Sequence, residues 1–114
     1  MITALVQFAL PTPMTPDEAR RVFASTAPRY LAMPGLVRKH YLLSEDGRTA
    51  GGVYLWRTRA DAERVYDEAW RGFIRDKYGC EPQVTYFHTP VMVDNVAGEV
   101  VQDDESHAFL LEWD

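Results

Sequence analysis

Lys39, His40 and Tyr41 follow one another, and the next aromatic side chains along the chain are Tyr54, Trp56, Tyr66 and Trp70. An amine, an imidazole, phenols and indoles together suit proton exchange with a polar ring system and stacking against it. Tyrosine hydroxyls and a lysine ammonium need polar partners when buried. Several of them on one wall therefore predict a roomy amphipathic cavity for a planar aromatic ligand. Other chemistries lack their residues. The chain has no Gly-x-Gly-x-x-Gly, no Walker lysine loop, no Gly-x-Ser-x-Gly and no His-Glu-x-x-His. His40, His88 and His107 lack zinc-like spacing, so no metal is expected. Cys80 has no paired cysteine and reads as an inert thiol after a helix stop. Gly51-Gly52 is too short to cradle a phosphate and reads as a bulge or a close backbone contact.

The elements that must position these groups are legible in order. Residues 2–10 form an apolar run of strand length before Pro11 and Pro13. Thr15, Pro16 and Glu18 make a capping box with proline at the first helical position. Ala19, Val22, Phe23, Ala27, Tyr30 and Leu31 continue at helical spacing, with a kink or restart expected at Pro28 and an end before Pro34-Gly35. Residues 36–44 and 51–56 read as the two strands of a hairpin around the turn residues 45–48. Thr58 with Asp61 opens a second helix, whose stripe from Ala62 to Ile74 spans almost four turns before Gly79 stops it. Residues 83–93 form a last extended segment that bends at Pro90.

The order β-α-β-β-α-β predicts an α+β, ferredoxin-like domain: a four-stranded antiparallel sheet with two helices on one face. The domain is expected over 1–95, followed by an acidic tail, 96–114. The tail's apolar end, Ala108 to Leu111 and Trp113, should dock on the domain or on a partner. The strands alternate poorly: Leu36 and Leu42 oppose Val37, Tyr41 and Leu43, and Tyr54 and Trp56 oppose Val53 and Leu55. Both sheet faces are apolar, so a second copy is expected to cover the open one, or else the tail folds back over it. If Tyr41 stands opposite Tyr54, Lys39 stands opposite Trp56 on the same face. A one-residue slip would instead bring His40 beside Tyr54.

At 114 residues the chain makes one domain, and 46% hydrophobic with 12% aromatic residues excludes disorder. No apolar run reaches membrane-spanning length, and Met1 leads straight into Ile2-Thr3-Ala4-Leu5 without a basic segment. With the single Cys80, this predicts a cytoplasmic protein. The net charge is −5, yet all 12 Lys and Arg lie in residues 1–98, while Glu99, Asp103, Asp104, Glu105, Glu112 and Asp114 crowd the end. A nearly neutral body with an acidic tail offers no basic patch for nucleic acid.

Met33-Pro34-Gly35-Leu36 with Lys39 and Tyr41, then Glu45, Gly51-Gly52-Val53-Tyr54-Leu55-Trp56, and the stretch from Tyr78-Gly79 to Pro90-Val91 and Val93-Asp94-Asn95 resemble the YdhR-type monooxygenases. These are relatives of the antibiotic-biosynthesis monooxygenases in the dimeric α+β barrel superfamily. The resemblance covers about residues 2–95 and not the acidic tail. It implies a homodimer with a pocket between sheet and helices, and oxygenation of a polyaromatic phenol or anthrone to a quinone by dioxygen, with no flavin, haem or metal. The protein would then deprotonate a phenol, stabilise the anion and admit dioxygen to a dry cavity. Under that implication Lys39 stabilises the anion and Tyr54 or His88 relays the proton, histidine titrating nearer neutral pH. Tyr41, Trp56, Tyr66 and Trp70 enclose the rings. Two alternatives remain. One is a non-catalytic binding protein for aromatic or hydrophobic metabolites. The other is haem binding or degradation, with His88 or His40 as axial ligand.

Overall fold

The computed structural model describes residues 1–103. Strand β1 (Ile2–Ala9) leads into helix α1 (Pro16–Tyr30). The Thr15 hydroxyl accepts the Glu18 N–H at 3.2 Å, satisfying one of the orphan donors of the first turn. The helix does not restart at Pro28. It runs unbroken to Tyr30 and stops at Leu31, whose backbone is extended, so the proline costs one hydrogen bond in a turn already ending. Strands β2 (Leu36–Leu43) and β3 (Thr49–Trp56) form the expected hairpin. Its turn is tied by Asp46, which accepts the Ser44 hydroxyl at 2.7 Å and the Arg48 N–H at 3.0 Å. Gly47 adopts φ +74°, and a Cβ there would sit 2.3 Å from the Met14 carbonyl oxygen.

The single second helix read from the sequence is two helices, α2 (Arg59–Val65) and α3 (Glu68–Tyr78). Tyr66 leaves helical backbone space, and Asp67 caps α3 by accepting the Trp70 N–H at 2.9 Å. The short carboxylate competes for backbone donors where a continuous helix would need them for itself. The apolar stripe survives the break because both halves pack on the same sheet face. Gly79 ends α3 in the left-handed conformation, as a glycine stop should.

Strand β4 (Gln83–His88) completes a four-stranded antiparallel sheet of order β2-β3-β1-β4. This is the ferredoxin-like α+β arrangement expected. Ala4 stands opposite both Tyr54 and Tyr86, and Val6 opposite both Gly52 and Val84, so these side chains face the helices together. Between the layers lies an aromatic core in which Phe8, Phe23, Trp56, Trp70 and Tyr78 are buried.

The extended segment does not stay in that sheet. After Pro90, β5 (Val91–Asp94) pairs with β6 (Glu99–Gln102) in a separate two-stranded ribbon. The division at residue 95 thus falls inside a hairpin turn rather than between a domain and a tail. The expected docking residues, Ala108 to Leu111 and Trp113, lie outside the described residues. β4 and β2 are opposite edges of the sheet. Even so, Arg38 Nη2 of β2 lies 3.6 Å from Asp94 Oδ2 at the end of β5. Arg38 pairs with Leu55 on the side away from the helices, so this ion pair ties the end of β5 to that side of the sheet. Leu55 beneath is only 8% exposed, whereas Phe87 on the same side remains 51% exposed. Val91, Val93 and Val100 point outward from the ribbon and are exposed.

Candidate active site

Lys39 organises the site. The register places it opposite Tyr54, and Tyr41 opposite Gly52, two residues from the alignment that would set Lys39 against Trp56. The period of two keeps Lys39, Tyr41, Tyr54 and Trp56 on one face under either register, and it puts His40 on the other. A bulge between Leu36 and Arg38 shifts the register by one residue, and so keeps Lys39 on the helix side of the sheet, where an uninterrupted ladder from Leu36–Trp56 would set it against Val53. Gly52 supplies the room. A Cβ at that position would approach Tyr54 Cε1 to 3.1 Å and Lys39 Cε to 3.4 Å.

The Lys39 ammonium lies in a cage of tyrosine rings. Nζ is 3.4 Å from the ring centre of Tyr30, 3.7 Å from that of Tyr41 and 4.5 Å from that of Tyr54. Tyr30 belongs to α1 and went unremarked in the sequence except as one member of a helical stripe. The signal was available, because Phe23, Thr26 and Tyr30 recur on one face of α1 and all three are buried. Thr26 bonds the Tyr41 hydroxyl at 2.7 Å, and the Phe23 and Tyr41 rings stack at 4.9 Å. These contacts fix the cage wall.

Ring faces attract a cation, but no carboxylate pairs with Lys39 among the described residues. Burial, and then the like charge of Arg29, push the Lys39 amine down to about 7. Burial drives the Tyr54 phenol far above its ordinary range, with Tyr30 adding to it. Tyr54 is 3% exposed and keeps its proton at any physiological pH. The Tyr66 phenol is raised for the same first cause, burial.

Trp56, Tyr66 and Trp70 are buried and packed against the rest of the core. Trp56 Nε1 donates to the Tyr66 hydroxyl at 3.0 Å, and Trp70 Nε1 donates to the Tyr30 hydroxyl at 3.1 Å. The Tyr54 and Trp56 rings are parallel within 3°, and Tyr66 meets both edge-on. Because these polar tips satisfy one another, the rings interlock, and the roomy interior cavity expected from the sequence is closed. What remains between Phe8, Phe23, Tyr54 and Tyr78 is about 10 Å³, at the lower limit for one water.

The accessible space beside Lys39 is a cleft of about 250 Å³ between the C-terminal turn of α1 and the first half of β2; a larger one of about 360 Å³, by Gln7, Thr49 and Cys80, holds none of the cage residues. Tyr30, Lys39 and Tyr41 border both this cleft and the closed interior, so they form the partition between them. Leu31, at 81% exposure, stands at the rim beside Ala32, a non-glycine residue at φ +61°. His40 is exposed on the opposite sheet face, against Val53. His88 ends β4 at the far edge of the sheet, beside Ile2. Neither borders the cleft or the cage. The cause is distance across three strands for His88 and side-chain alternation for His40. Burial raises the Cys80 thiol, so it is a poor nucleophile. Among the described residues no three His, Cys, Asp or Glu side chains gather as a metal ion would require.

The family model described as "Putative mono-oxygenase ydhR" matches residues 4–86. Solved structures with the same fold include SnoaB, described as a cofactor-independent oxygenase from Streptomyces nogalater. It is 20% identical, with 77% of this chain and 91% of that chain covered and a TM-score of 0.57. The ActVA-Orf6 monooxygenase of Streptomyces coelicolor, solved in complex with nanaomycin D, is 14% identical over 77% of this chain and 86% of that one, with a TM-score of 0.59. Rv0793 from Mycobacterium tuberculosis is 16% identical over 78% and 95%, with a TM-score of 0.54. No curated protein matches the chain.

Proposed function

Given that the chain belongs to the ydhR mono-oxygenase family, we propose that it oxygenates a hydroxylated polyaromatic molecule at the cleft beside Lys39, using dioxygen without flavin, haem or metal. The observation that carries this reading is an amine set near neutrality, caged by Tyr30, Tyr41 and Tyr54 and lacking a carboxylate partner. The cofactor-independent oxygenase and the nanaomycin complex among the fold relatives support it as analogy.

In this mechanism the neutral Lys39 amine takes the acidic proton of the substrate, and the resulting ammonium holds the ring-conjugated anion. The anion reduces dioxygen and forms a C–O bond, giving a hydroperoxide. Loss of the remaining C–H proton breaks the O–O bond and releases water, so an anthrone methylene plus O₂ yields a quinone carbonyl plus H₂O. Tyr30 and Tyr41 flank the ring system. Tyr54, always protonated, is a hydrogen-bond donor and never the base. Trp56, Tyr66 and Trp70 hold the cage from behind.

The test is oxygen uptake with 1,8-dihydroxyanthrone under ¹⁸O₂. One ¹⁸O per quinone and equal O₂ and product are expected, with Lys39→Met lowering kcat by roughly 10²–10⁴-fold. Uptake no faster than the uncatalysed background across a polyphenol panel sinks the proposal. The openness of the cleft favours a second reading, binding without turnover, because oxygenation benefits from excluded water. That reading predicts saturable tryptophan quenching by the same phenols with no oxygen consumed.

The exposed Phe87 and Leu42 on the open sheet face, with the outward valines of β5 and β6, support a homodimer in which a second copy covers them.

A further inference from the structure

Neutral amines are nucleophiles as well as bases, and Lys39 meets the structural conditions for one. A lysine is activated where it is desolvated in an apolar pocket or set beside another cation. Both hold here. Three tyrosine rings replace water around Nζ. Arg29, stacked on Phe73 at 4.2 Å, is the charge that disfavours the ammonium. The groups facing Lys39 from each packed element are Arg29 and Tyr30 of α1, Tyr41 of β2 and Tyr54 of β3, with Tyr78 of α3 across the closed space. None is an acid. Nor does the cleft beside it contain an acid among its lining residues.

The amine is also reachable. Lys39 makes no hydrogen bond among the described residues, yet no side-chain nitrogen sealed from solvent lacks a partner there, so Nζ keeps an opening. Lys39 lines the 250 Å³ cleft, where Leu31, Leu36 and Val37 offer apolar walls and Tyr30 and Tyr41 offer ring faces.

We propose that Lys39 is an imine-forming residue that captures aromatic aldehydes entering the cleft between α1 and β2. The amine lone pair adds to the carbonyl carbon and the oxygen gains a proton, giving a carbinolamine. Loss of water, with both of its hydrogens accounted for by the amine, leaves the C=N bond. No oxidant or reductant is involved, so the capture stands whether or not the cleft oxygenates anything.

The chain makes the test clean, because Lys77 is the only other lysine and is exposed in the last turn of α3. The protein is incubated with 2-naphthaldehyde at pH 7, sodium cyanoborohydride reduces any imine to a stable secondary amine, and peptide mapping locates it. Lys39 is expected to label at least about 10-fold faster than Lys77, since an ordinary lysine amine is neutral in under about one molecule in a thousand at that pH. In 8 M urea the two lysines should label equally, because the cage is gone. Arg29→Gln should move the midpoint of the Lys39 pH profile upward, leaving that of Lys77 in place. Equal rates in the folded protein, or no adduct at Lys39, overturn the proposal.

Discussion

An ammonium 3.4 Å from one ring centre and 3.7 Å from another, with no acid to pair it, leaves a mark on stability as well as on chemistry. The folded protein lowers Lys39 to about 7 from an ordinary 10.5, so between those values the unfolded chain binds the proton that the native state has released. Stability therefore rises as pH climbs from about 7 to 10.5, and the full penalty of the buried charge is felt below 7. Lys39→Met should stabilise the fold by about 1–4 kcal/mol at pH 6.5, the range found when buried ion pairs give way to apolar side chains of similar volume. By pH 10.5 that advantage should have largely vanished. Urea midpoints measured at the two pH values check it. A variant less stable than the parent at pH 6.5 would mean that the ring faces hold the cation more strongly than burial disfavours it.

At the scale of elements, the β2–β3 hairpin carries the site, and the two glycines of β3 do different jobs in it. A Cβ on Gly51 would lie 1.8 Å from the Val6 carbonyl oxygen, a backbone atom of the neighbouring strand that cannot yield without parting β1 from β3. On Gly52 it would meet chiefly the Tyr54 ring edge, the Lys39 stem and, at 3.0 Å, the His40 carbonyl. Gly51→Ala is expected to cost more than about 3 kcal/mol, and Gly52→Ala about 1–2 kcal/mol, by the usual scale for overpacking. Gly52→Ala should also displace Lys39 from its cage and slow capture of 2-naphthaldehyde. Denaturant unfolding of both variants, with labelling of the second, separates the strand contact from the site contact. The same hairpin explains why His40 falls outside the site. Adjacent to Lys39 in sequence, it is held on the other face by the pleat.

The whole molecule is longer than its sheet. Its Cα extents are 49 × 32 × 25 Å, and its last ribbon is not absorbed into the main sheet. A two-stranded ribbon is marginal alone in water, and its outward valines are exposed. The proposed second copy would bury those valines together with Phe87 and Leu42. Sedimentation at micromolar concentration should then give twice the 13.1 kDa chain mass. Phe87→Asp should shift the protein toward the single-chain value, with circular dichroism unchanged. A single-chain value for the parent would overturn the second copy as the cover of that face.

Some of this was written locally. The order of strands and helices, the caps at Thr15 and Thr58, the stop at Gly79 and the sharing of one face by Lys39, Tyr41, Tyr54 and Trp56 follow from the sequence, because periodicity and capping depend on near neighbours. The break at Tyr66 was the exception among local features. Asp67 was visible, but an unbroken apolar stripe outweighed it until packing allowed both helices to serve one face. Tertiary structure alone decided the rest. Register is a sum over a whole strand pair, so only the assembled hairpin could place Lys39 against Tyr54 instead of Trp56. Whether aromatic side chains line a void or fill it depends on how rings from α1, α3 and the sheet interdigitate. Here Trp56 with Tyr66, and Trp70 with Tyr30, closed it. Tyr30 entered the cage from a helix, and Asp94 of β5 met Arg38 of β2, through contacts between residues far apart along the chain. No pattern in a window of neighbours encodes such contacts.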